Sequence, residues 1–70
     1  MKTIMRVCSS SGERQIDVVK DEKNYILQNK DGVVIARREE KDEDGICSLM
    51  NYIKNLLDNY DWSEKYVEQN

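Results

Sequence analysis

The densest set of chemistry-bearing side chains in this 70-residue chain is REEKDEDGICSLM, residues 38 to 50. There Glu39, Glu40, Asp42, Glu43 and Asp44 place five carboxylates in six positions, and the sequence then turns apolar. Carboxylates at this density can hold a hard cation, cap and solvate the start of a helix, or present negative charge to a basic partner. The three uses make different demands on the surrounding residues, so the neighbours decide between them.

A cation site is the most demanding. Counted from Glu40, acids stand at positions 1, 3 and 5 and Gly45 at position 6, which resembles the opening of a calcium-binding EF-hand loop. That loop starts with Asp and closes with a bidentate Glu at position 12, where this chain has Glu40 and Asn51. There is no histidine, and Cys8 and Cys47 form no C-x-x-C, so the usual zinc sets and the thioredoxin-type motif are missing too. No metal or other cofactor is expected. The nucleophiles lack a base: Ser9, Ser10 and Ser11 read as a turn, and the negative charge around Cys47 opposes thiolate formation. Without a glycine-rich phosphate loop either, the chain is expected to be non-catalytic. The two cysteines read as free thiols of a reducing compartment, with a Cys8–Cys47 disulfide as the alternative.

Docking on a partner asks for less and finds more. The net charge of −3 conceals an asymmetry, because residues 1 to 38 carry eight basic and five acidic side chains while residues 39 to 70 carry three basic and nine acidic. The acidic half also holds Tyr52, Tyr60, Trp62 and Tyr66, side chains typical of interface anchors. Asn51, Asn55 and Asn59 recur every four residues and form a row of amides able to hydrogen-bond a partner without the desolvation cost of charge. Glu39, Glu40, Asp42, Glu43, Asn51, Tyr52, Asn55, Asp58, Asn59 and Tyr66 are accordingly the candidate partner-binding residues. A solvated connection leading into a helix cap accounts for the acids before Ile46 equally well.

These residues must be positioned by a single small domain, residues 1–70. Thr3–Cys8 and Gln15–Lys20 are strand-like runs joined by the turn-forming SSSGER. In YILQNKDGVVIAR the segment Asn29–Gly32 fits a type I turn with Gly32 left-handed, pairing Asn29 with Val33, Leu27 with Ile35 and Tyr25 with Arg37. From Asp44 as N-cap, Ile46, Leu49, Met50, Ile53, Leu56, Leu57 and Tyr60 fall in one helical stripe. DWSEKYVEQN predicts a further short helical turn capped by Asp61, with Tyr60 and Trp62 closing the core. The result is an α+β domain: a small antiparallel meander of three or four strands with one C-terminal amphipathic helix on one face. The other face is expected to carry Ile26, Val34, Ala36 and Gln28.

The leading functional expectation is a small acidic interaction protein, a cytoplasmic inhibitor or adaptor that docks on a basic, nucleic-acid-binding protein. In size, acidity and lack of a catalytic set it is similar to anti-CRISPR and anti-restriction proteins of phages, a likeness of character that transfers no residues. The alternative is a structural or regulatory homo-oligomer formed through the open sheet face, and a third reading is a weak nucleic-acid binder using Arg6, Arg14, Arg37 and Arg38. No run of 18 apolar residues and no signal-peptide pattern occurs, so no membrane association is expected, and both monomer and homodimer remain open.

Overall fold

Five strands and one helix follow one another as β1 (Lys2–Ser9), β2 (Gln15–Lys20), β3 (Asn24–Asn29), β4 (Val34–Glu39), α1 (Glu43–Asn59) and β5 (Trp62–Lys65). They are seen in a computed structural model that describes residues 1–68. The strands form one antiparallel sheet in the order β4-β3-β2-β1-β5. The expected α+β architecture is therefore present, with one strand more than the meander itself provides.

The connections explain the order. Three tight turns lay β1 to β4 side by side, leaving the chain at the β4 edge. A 17-residue helix is about 25 Å long, which exceeds the roughly 19 Å width of five strands. It recrosses the sheet and delivers the chain to the vacant edge beside β1. There Arg6 pairs with Lys65, Cys8 with Ser63 and Ser9 with Trp62. The expected helical turn at the C-terminus is thus replaced by a strand, because the unpaired backbone edge of β1 offers hydrogen bonds that a frayed, uncovered helical turn would not have.

The helix buries Leu49, Ile53 and Leu56 against Val7, Ile16, Val18 and Leu27, and Met5, Tyr25, Ala36, Leu57 and Trp62 pack around this cluster. Trp62 thus closes the core as expected, but Tyr60 does not: its backbone is extended, it ends the helix, and its side chain is exposed. The N-cap is Asp42 and not Asp44. Its carboxylate accepts the Gly45 N–H at 3.0 Å, and Glu43 and Asp44 occupy the first turn.

The β3–β4 turn has the predicted chemistry. Gly32 has φ +82°, its N–H donates to Asn29 O at 3.0 Å, and Asn29 N–H donates to Val33 O at 3.0 Å. Beyond it the register departs from expectation. A bulge at Ile35 places Leu27 opposite Ala36 and Tyr25 opposite Arg38, so Ala36 joins the helix-side core and not the open face.

On the open face Asp17 is buried at the centre. It accepts two hydrogen bonds from Arg6, at 2.8 and 3.0 Å, and one from Gln15 at 3.1 Å. The bond to Asp17 raises the Arg6 pKa above its ordinary value. Val19 and Ile26 pair across β2 and β3 and are only 3% and 4% exposed. Among the described residues no second layer covers them, so side chains of the same face provide the shielding. Of the apolar residues expected to be open there, only Val34 is exposed.

Candidate functional site

The acidic run divides by position. Glu39 ends β4 and pairs with Lys41 at 3.6 Å, while Glu40 pairs with Lys20 across the sheet end at 3.6 Å. The backbone N–H of Glu40 also donates to Lys23 O. Asp42 is spent on the cap. Glu43 and Asp44 stay exposed in the first helical turn, where the positive end of the helix dipole favours them. Three of the five carboxylates therefore have work inside the molecule. With Asp42 capping and Glu40 turned to Lys20, the alternating acids do not converge, and no cluster of three or more His, Cys, Asp or Glu side chains suited to a metal occurs among the described residues.

The helix organises the rest. Asp44, Ser48, Asn51, Asn55, Asp58 and Asn59 are spaced by three and four residues, so they line one side of α1, and all are exposed. The amides interact with one another, Asn59 Nδ2 donating to Asn55 Oδ1 at 2.7 Å. Neither Asp44 nor Asp58 has a cationic partner, since the described ion pairs are Arg6–Asp17, Lys20–Glu40 and Lys41–Glu39. Asp44 and Ser48 extend the predicted amide row toward the helix start. The helical spacing alone already joins Ser48 to the amide row, whereas Asp44, expected as the N-cap, is freed for the stripe because Asp42 takes the cap.

Two candidates fall elsewhere. Tyr66 lies beyond β5, where it is exposed and borders a surface depression with Met1, Lys2 and Arg6 that includes no residue of the helix stripe. Tyr52 turns to the flank of the helix, where with Ile35, Trp62, Glu13 and Arg14 it lines a groove of about 350 Å³ floored by Ile16. Arg14 sits over the Trp62 ring, 5.8 Å from its centroid. The groove is assembled from five separate segments, residues 13–16 and single residues of β3, β4, α1 and β5, and it has no linear trace in the sequence.

The four arginines of the nucleic-acid reading do not form one track. Arg6 is bound to Asp17 on the open face, and Arg37, opposite Ile26, shares that face. Arg14 stacks on Trp62, and Arg38, opposite Tyr25, has its Cδ close to the Gly45 position on the helix side. Among the described residues, no helix is long and apolar enough to cross a membrane. Comparison of the chain with protein-family models, with curated proteins and with solved structures gave no match.

Proposed function

We propose that the protein is a small non-catalytic interaction module that acts in the cytoplasm by docking the outer face of α1 on a basic protein surface. The observation that carries this reading is the stripe Asp44, Ser48, Asn51, Asn55, Asp58 and Asn59: exposed along the whole helix, acidic at both ends, and free of internal ion pairs. Amides between two acids suit a surface that must bond a partner without a large desolvation cost, while the acids steer the encounter. A groove shaped for phosphate is the most basic surface such a stripe can meet, so the favoured partner class is a nucleic-acid-binding protein and the favoured action is competitive inhibition. Inhibitors of phage defence nucleases, of the anti-CRISPR and anti-restriction kind, have this general character.

The test is capture followed by kinetics. Tagged protein is used to retrieve partners from its native host, or from cells expressing defence nucleases, and the retained proteins are identified by mass spectrometry. The triple variant Glu43→Lys, Asp44→Lys, Asp58→Lys reverses exposed charge without touching the Asp42 cap or an internal ion pair. We expect it to associate with the captured partner at least about tenfold more slowly, and the wild-type on-rate to fall as salt rises. Equal on-rates for both proteins at low and high salt would defeat the docking surface.

A further inference from the structure

We infer that the end of the sheet holding the β1–β2 and β3–β4 turns is a self-association surface, whose partner is a second copy of this chain. Val33, Val34 and Ile35 are three consecutive β-branched residues, 59%, 49% and 50% exposed. A run of that kind on a solvated surface is unfavourable unless something covers it. Beside it lies the groove between Ile35 and Tyr52, with Glu13 and Arg14 on its rim. Val34, opposite Gln28, faces the open side of the sheet, whereas Ile35 lines the recess on the helix side with Val33 next to it in the turn. Turn and recess thus share one end of the sheet, the arrangement a two-fold interface needs, because each copy then supplies both parts.

Charge selects the second copy as occupant. The turn carries Lys30 and Asp31 immediately before Gly32 and Val33, and the groove rim carries Glu13 and Arg14. None of these four is in an ion pair within the chain. In a two-fold arrangement that seats each turn in the other copy's groove, Lys30 meets Glu13 and Asp31 meets Arg14, twice over. Pairing through the β4 edge is the competing geometry. The bulge at Ile35 breaks the outward hydrogen-bonding row there, and Arg37 and Arg38 follow it, both of which blunt an edge. The few apolar side chains of this surface fall short of the roughly 800 Å² per partner of a standard interface, so the dimer is expected to be weak, with Kd in the micromolar range.

This surface is separate from the acidic helix stripe, and neither depends on the other. Sedimentation velocity of the full chain from about 1 µM to about 1 mM is the measurement. Wild type should shift from monomer to dimer over this range, and Val33→Asp, at an exposed position, should weaken association at least about tenfold with an unchanged circular dichroism spectrum. Glu13→Lys and Lys30→Glu should each weaken it, and the double variant should restore it. A wild-type chain that stays monomeric throughout overturns the inference, as does a dimer indifferent to Val33→Asp or a charge swap that gives no recovery. The triple helix-stripe variant used above leaves all four turn charges in place and should dimerise like wild type.

Discussion

The start of α1 shows how far one side chain can constrain another. Gly45 is at the third helical position and donates its N–H to the Asp42 carboxylate; a Cβ at Gly45 would fall on that carboxylate and against Arg38 Cδ. Glycine is therefore required by the cap and not by the backbone, whose φ is not positive there. Ala is the better helix former by about 1 kcal/mol, yet Gly45→Ala should bring no stabilisation, because it drives Asp42 off the Gly45 N–H and forfeits a cap of similar worth. The two effects share one hydrogen bond, so they should not add. In a thermal-melt cycle, Asp42→Ala and the double variant Asp42→Ala/Gly45→Ala are expected to differ by less than about 0.5 kcal/mol or to favour the double variant. A double variant losing the full sum of both single effects would show that the cap is not what Gly45 protects.

Among the elements, those written in local pattern were legible and those set by distant partners were not. The β3–β4 turn could be read because Asn29-Lys30-Asp31-Gly32 needs a left-handed residue at its end and has glycine there. The helix could be read because Leu49, Ile53 and Leu56 keep its period and form its buried face. The bulge could not, since Ile35 and Ala36 are both apolar and either could face Leu27. Nor could β5: WSEK has little strand character, and its conformation follows from the free edge of β1, which the chain reaches only after the helix has crossed the sheet. Ile53, 1% exposed, sits at the centre of that crossing, in one cluster with residues of β1, β2 and β3. Ile53→Ala should therefore cost about 2–5 kcal/mol, a large part of what a domain this size can hold. Loss of the helical circular dichroism signal or a strongly lowered melting midpoint is the expected outcome, and a wild-type melt would show that α1 is not the lid of this core.

At the scale of the whole molecule the sheet is a partition, and the sequence could not show which side each residue takes. The amide and acid spacing along α1 was visible in advance, because a helix maps sequence onto a face in a known way. The groove at Tyr52 was not, because its walls come from five segments that only the topology brings together. The thiols make the partition measurable. Cys8 is opposite Gln15 and Ser63 on the face away from the helix, and it is buried. Cys47 is exposed on α1, on the other side of the sheet. A disulfide needs Cα atoms within about 7 Å, whereas packed layers lie about 10 Å apart. An intramolecular bridge is therefore excluded by the fold, and the two thiols should differ in reactivity even though sequence alone expects them to behave alike. Native protein treated with iodoacetamide should take up one label rapidly, at Cys47, and a second only when denaturant exposes Cys8. Reductant should leave the melting midpoint of the monomer unchanged. A monomer whose mass has lost both thiol hydrogens on oxidation, or equal native labelling at Cys8 and Cys47, would place the two residues on one side of the sheet and overturn the layer order from which the helix stripe and the turn surface are both argued.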